Sequence, residues 1–120
     1  MSVQNNCTFI GNFTKDPELK ETPSGAHVTN FTLGVRRSFV KDGQQGSDFI
    51  NFVAWGKTAE FIAKYFKKGS KIGVRGSMES RTYEDKNGNN RYITECRVDE
   101  ATFVESKKQG DSQDNEGDFL

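Results

Sequence analysis

A chain of 120 residues with 17 basic and 17 acidic side chains has room for one hydrophobic core, and its zero net charge does not by itself announce a polyanionic partner. The opening Met1-Ser2-Val3-Gln4-Asn5-Asn6 lacks the basic and apolar segments of an export signal, and no later run could span a bilayer as a helix, so a soluble, unexported protein without membrane contact is expected. Cys7 and Cys96 stand far apart in the sequence with no Cys-x-x-Cys pair, so neither a disulfide framework nor a zinc site is suggested and the better reading is two reduced, packed thiols.

The charges are unevenly spread. Glu105, Asp111, Asp114, Glu116 and Asp118 against Lys107 and Lys108 leave residues 105–120 at −3 and residues 1–104 at +3. A mildly basic body therefore precedes an acidic tail.

In chain order, Cys7 to Phe13 is apolar and β-prone and is broken by Thr14-Lys15-Asp16-Pro17 and again by Pro23-Ser24-Gly25. From His27 a second strand runs through Val28 to Val40, where Phe31, Leu33 and Val35 alternate with Asn30, Thr32 and Gly34. Lys41 to Gly46 forms a polar hairpin loop, and a third strand follows over Phe49–Trp55. Thr58 to Lys68 changes period: Phe61, Ile62, Tyr65 and Phe66 fall at helical spacing, with Thr58 as cap and Gly69 as the left-handed stop. Lys71 to Tyr83 alternates again, Asp85 to Asn90 makes a second hairpin loop, and a last strand covers Tyr92 to Val104 with a break at Asp99-Glu100. Beyond Val104, residues 105–117 carry no apolar side chain, so residues 105–120 read as a disordered tail.

The order strand, strand, strand, helix, strand, strand defines an all-β class and fits the five-stranded oligonucleotide-binding barrel, with one helix between strands 3 and 4, though other small β folds share it. Residues 1–104 form that domain and residues 105–120 the flexible acidic tail.

Candidate chemistry lies on strand surfaces. In the third strand, Ile50, Phe52 and Ala54 share one face, while Phe49, Asn51, Val53 and Trp55 share the other. If the first set fills the barrel, Phe49 and Trp55 are left outside, and stacking of unpaired bases would account for them. Tyr83 shares its face with Lys71, Arg75 and Arg81, the interleaving of rings and cations that a phosphate-tracking groove needs. Strict alternation would turn Phe39 and Arg37 inward, so their exposure requires a bulge or a strand end. The alternative for each ring is packing in the core or at a subunit interface, which is the reading for Phe9, Phe13, Phe31, Phe52, Phe61 and Phe66. Arg36, Arg37, Lys57, Lys68, Arg75 and Arg81 are the candidate phosphate contacts, against a merely solvated face.

Enzyme readings find little support. His27 is the only histidine and fits a partly exposed strand start; there is no nucleophile motif and no glycine-rich phosphate cradle. Asp42, Asp48, Glu79 and Glu84 sit in loops and at strand ends where acids are common, so no metal, cofactor or catalytic residue is assigned.

Several spaced motifs closely resemble the bacterial single-stranded DNA-binding proteins: Phe9-Ile10-Gly11-Asn12-Phe13 with Asp16-Pro17-Glu18, Asn30-Phe31-Thr32-Leu33, Trp55-Gly56-Lys57 with Ala59-Glu60, Lys68-Gly69-Ser70, and Arg91-Tyr92 with Thr94-Glu95. The resemblance runs from Cys7 to Val104. It implies the oligonucleotide-binding barrel, a non-enzymatic coat on single-stranded DNA in replication, recombination and repair, and a homotetramer in the cytoplasm of a bacterium or phage-infected bacterium. Its base-stacking rings fall at Phe39, Phe49, Trp55 and Tyr83; at Phe39, Phe49 and Tyr83 family members often carry tryptophan. Family tails usually close on an acidic tip ending in Pro-Phe that docks replication and repair proteins. Here Asp118-Phe119-Leu120 keeps acid and ring, lacks the proline and runs one residue further, which weakens the docking expectation and fits a phage or plasmid origin. The rivals are an RNA-directed or replication-restart barrel and a protein-interaction adaptor.

Overall fold

The computed structural model describes residues 4–37 and 46–104. Phe39 and the tail residues Asp118, Phe119 and Leu120 lie outside them, as does the expected end of the second strand at Val40. The described elements are β1 (Cys7–Phe13), β2 (Lys20–Glu21), β3 (His27–Arg36), β4 (Ser47–Trp55), α1 (Gly56–Tyr65), β5 (Lys71–Glu84) and β6 (Asn90–Phe103).

The strands form one sheet in the order β1-β5-β6-β4-β3-β2, and β1 also pairs with β3, so the sheet closes on itself. Closure uses a short β1–β3 contact at Asn12–Gly34 and Phe13–Leu33 and a short parallel β4–β6 contact at Phe52–Cys96 and Val53–Arg97; every other pairing is antiparallel. This is the five-stranded barrel with the helix between its third and fourth main strands. The two-residue β2, annealed to the start of β3, was not expected, because two residues carry no period to read.

Alternation fills the interior. Phe31 and Leu33 from β3, Phe52 and Ala54 from β4, Ile72 and Val74 from β5, and Cys96 and Val98 from β6 are all buried. Phe13, Phe31 and Phe52 stack in sequence at centroid separations of 5.0 and 5.3 Å. Phe9 packs its edge on Phe52 at 5.4 Å, and Phe61 is likewise only partly buried against this core. Such ring pairs contribute about 0.5–1.5 kcal/mol each beyond area burial.

The helix lies two to three residues earlier than its periodicity indicated. Gly56, at φ +62°, turns the chain directly out of β4; Trp55 occupies the cap position with extended backbone, and no side chain caps the helix, so Thr58 falls inside it. It ends at Tyr65 because Phe66 turns to extended backbone and inserts between Phe13 and Phe103, at 5.5 and 5.2 Å. Gly69, at φ +89°, belongs to the following turn, where its N–H donates to the Phe13 carbonyl.

The expected break at Asp99-Glu100 is a β-bulge. Arg75 opposes Glu100 and Gly76 opposes Val98, leaving Asp99 as the extra residue. That residue reverses the parity of β6: Cys96 and Val98 face inward before it, Ala101 and Phe103 oppose the inward Val74 and Ile72 after it. The second hairpin loop is as expected, closed by Asp85 N–H to Asn89 O at 2.9 Å with Gly88 at φ +82°.

The cysteines, separated by 89 positions, are not apart in space. Both point inward from the strands flanking β5, and their sulfurs lie 3.7 Å from each other as free thiols. Burial, then the hydrogen bond with Cys7, pushes the Cys96 thiol up to about 12. Only a thiolate alkylates readily, so at pH 8 iodoacetamide should label at most Cys7 in the native chain and both cysteines after denaturation, as read by intact mass. Native labelling of Cys96 would contradict this packing.

Candidate nucleic-acid interface

Pairing register decides which outward side chains form one surface, because directly paired residues share a face. From β3 and β4 the outer face receives Val28 with Trp55, Asn30 with Val53, Thr32 with Asn51, Gly34 with Phe49, and Arg36 with Ser47. Val53 is paired with Arg97 of β6, and β6 is paired with β5 through Arg97–Ser77, Glu95–Glu79, Ile93–Arg81 and Arg91–Tyr83. One continuous outer face thus runs across β3, β4, β6 and β5, carrying Phe49, Trp55 and Tyr83.

Those rings are exposed at 69%, 43% and 48%, high for large apolar side chains on one surface. Phe49 lies over Gly34, where a Cβ would stand 3.3 Å from its ring. Six residues of β4 place Phe49 and Trp55 about 20 Å apart. Between them Thr32 Oγ1 donates to Asn51 Oδ1 at 2.8 Å, a polar floor between two aromatic ends.

A cleft of about 420 Å³ opens in this face, lined among others by Lys15 and Lys20 from the β1–β2 segment, Asn51, Arg81, Ile93 and Glu95. Its walls are thus the loop after β1 and the β5–β6 hairpin, with the β3–β4 surface as floor. Lys15, Lys20, Asn51 and Arg91 were not assigned as contacts from the sequence, although Asn51 was placed on this face and Arg91 in a family motif. Nothing in the spacing of Lys15 or Lys20 marks them, because only barrel closure brings their loop beside the hairpin.

The six candidate phosphate contacts do not form one cluster. Arg36 ends β3, and Arg37, whose N–H still donates to the Gly46 carbonyl at 3.0 Å, is exposed without a bulge because it lies at the open end of the β3–β4 ladder. Arg37 then gives Nε and Nη2 to Asp48 at 3.0 and 2.8 Å; the bond raises the guanidinium pKa and holds the Asp48 carboxyl below the usual carboxylate range. Arg75, on the β1 side of the barrel opposite Thr8, gives Nε and Nη2 to Glu100 at 3.0 and 2.8 Å. Arg81 meets Glu95 through Nε alone, at 2.9 Å. Lys57 is exposed in the first turn of α1, two residues from Trp55, and Lys68 is exposed in the turn before β5, where its backbone N–H donates to Asp16 Oδ1 at 2.7 Å. His27 opens β3, as expected, and its Nδ1 lies 2.6 Å from Glu60 Oε2. Of the acids weighed as metal ligands, Asp48 pairs with Arg37 and Glu79 with Arg97 at 3.6 Å; the described residues contain no group of three potential ligands. No helix among them is long and apolar enough to cross a membrane.

The closed sheet, its interposed helix and the ring-bearing face define an oligonucleotide-binding barrel. Over residues 4–104 the chain matches the single-strand binding protein family, and it belongs to that family. It is 49% identical over 112 residues to the single-stranded DNA-binding protein of Clostridium tetani, covering 91% of this chain and 77% of the relative. With single-stranded DNA-binding protein 3 of Clostridium acetobutylicum it shares 50% over 102 residues, 84% of this chain and 71% of the relative. With single-stranded DNA-binding protein A of Bacillus subtilis it shares 43% over 109 residues, 90% and 63% of the two chains.

Proposed function

We propose that this chain binds and protects single-stranded DNA without strong sequence specificity during replication, recombination and repair, and that it does so without catalysis. The observation that carries this reading is the placement of Phe49, Trp55 and Tyr83 on one continuous face of the barrel. Every base offers a π-face, so exposed rings bind a strand without reading its sequence, and nearby cations hold its phosphates. Family membership supports the same reading.

In this assignment Phe49, Trp55 and Tyr83 stack bases, with Phe39 as a fourth ring. Arg36, Lys57, Lys68 and Arg81, joined by Lys15 and Lys20, meet phosphates. Arg37 and Arg75 enter only by exchanging a carboxylate partner for a phosphate, since each already gives two nitrogens to an acid. The protein works as a homotetramer in the cytoplasm of a bacterium or a phage-infected bacterium, and Asp118, Phe119 and Leu120 contact replication or repair proteins.

Titration with a labelled oligo(dT) at several salt concentrations tests the core of this reading. Binding should be saturable, should exceed that for duplex DNA, and should weaken as salt rises, because phosphate contacts release counterions. Absence of salt-sensitive binding would leave the barrel as a protein-interaction scaffold, and preference for the matching RNA strand would redirect it to RNA.

A further inference from the structure

The β5–β6 hairpin holds two arginines in a way the other ion pairs do not share. Arg91, directly opposite Tyr83, donates Nε to Asp85 Oδ2 at 2.8 Å; Arg81, two residues before Tyr83 on the same strand face, donates Nε to Glu95 Oε2 at 2.9 Å. Among the described residues no hydrogen bond engages the terminal amines of either guanidinium. Arg37 and Arg75, by contrast, spend Nε and a terminal amine together on one carboxylate.

An Nε-only contact orients the guanidinium plane and leaves its outer edge as a donor pair. Both partner acids are themselves fixed. Glu95 is the one buried carboxylate among the described residues, at 7% exposure. Asp85 accepts from the backbone N–H groups of Asn87 and Asn89, each at 2.9 Å, and these bonds, that with Asn89 foremost, followed by the Arg91 bond, keep it well below the usual carboxylate range. Arg91 is thereby tied to the hairpin turn and Arg81 to the barrel wall, with Tyr83 between them on the same surface.

We infer that Arg81 and Arg91 form a two-guanidinium clamp on the phosphates flanking a base stacked on Tyr83, and that Glu95 and Asp85 are positioning residues that hold each arginine by Nε. Arg91 is accordingly a phosphate-binding residue of this hairpin. The clamp rests on the single-stranded DNA reading above and specifies where that strand is gripped. A planar guanidinium presents two parallel N–H groups to phosphate oxygens, which an ammonium cannot do.

The test measures oligo(dT) affinity against salt for the full chain and its variants. Arg91→Gln and Arg81→Gln should each weaken binding roughly three- to tenfold at low salt and reduce the slope of log K against log salt by about 0.7, one single-strand phosphate contact. Lys64→Gln removes the same charge from α1 and should leave the slope unchanged. Arg91→Lys should retain the slope and lose affinity, because charge remains and the fork is gone. Glu95→Ala should weaken binding and Glu95→Gln restore it, since the glutamine side-chain oxygen still accepts from Arg81 Nε. An unchanged slope in Arg91→Gln, equal flattening by Lys64→Gln, or wild-type affinity in Arg91→Lys would overturn the clamp while single-stranded DNA binding stood. A wild-type chain that bound no single strand would remove both.

Discussion

Replacing Trp55 with alanine is expected to weaken single-stranded oligonucleotide binding by about 1–3 kcal/mol, roughly five- to 150-fold, the magnitude of base–aromatic stacking for which members of this family are themselves the type case. Trp55 ends β4, is 43% exposed, and shares its face with Phe49 and Tyr83. Its backbone is extended and its side chain makes no cap hydrogen bond, so truncation removes a ring without opening the helix start. Thermal unfolding of the variant should therefore stay close to wild type. Trp55 is also the only tryptophan, so intrinsic fluorescence reports this position alone. Strong quenching by oligo(dT), absent with duplex DNA, would place a base on the indole. Wild-type affinity in the alanine variant would remove Trp55 from the interface and leave its exposure to another contact.

Much of this surface was legible in the sequence, for a limited reason. Alternation within β4 separates Phe49 and Trp55 from Phe52 and Ala54 whatever the fold, because a strand has period two. The same rule sets Tyr83 with Arg81. What alternation cannot supply is which face of one strand continues onto the next. That depends on register, and the decisive pair, Val53–Arg97, belongs to a two-residue parallel contact that leaves no local mark, whereas Arg91–Tyr83 belongs to the antiparallel β5–β6 hairpin. Arg91 was read only as part of a family motif, although pairing across the second hairpin sets it opposite Tyr83, and Lys15 and Lys20 were passed over because their loop gains its position only when the sheet closes. The thiol pair was hidden by the same non-locality. The helix was misplaced because its start is set by the positive φ of Gly56 and its end by the burial of Phe66, neither of which is part of its 3.6-residue pattern.

Gly76→Ala is expected to destabilise the fold by about 3 kcal/mol, the upper range of overpacking effects. A Cβ there would lie 1.9 Å from the Arg97 carbonyl oxygen, 2.9 Å from its carbon and 3.1 Å from Val98 Cα. All three are backbone atoms of β6, so no rotamer change relieves the clash and the strands must separate at the bulge. Gly73 offers the contrast: its nearest atoms are side-chain methyls of Val104 and Thr102, at 3.2 and 3.3 Å, which can move. Gly73→Ala should fall within about 1 kcal/mol of wild type. Urea unfolding at constant m-value separates the two. The close approach at Gly76 matters because the bulge beside it sends Cys96 and Val98 inward while Glu95 and Arg97 keep to the outer face. If β6 escaped the clash by slipping one residue, every one of these side chains would exchange faces. Cys96 would then alkylate in the native state, and the Arg81 contact with Glu95 would be lost from the hairpin. A Gly76→Ala chain that melted like wild type, with Cys96 still protected, would mean that β5 and β6 are not in contact at this point.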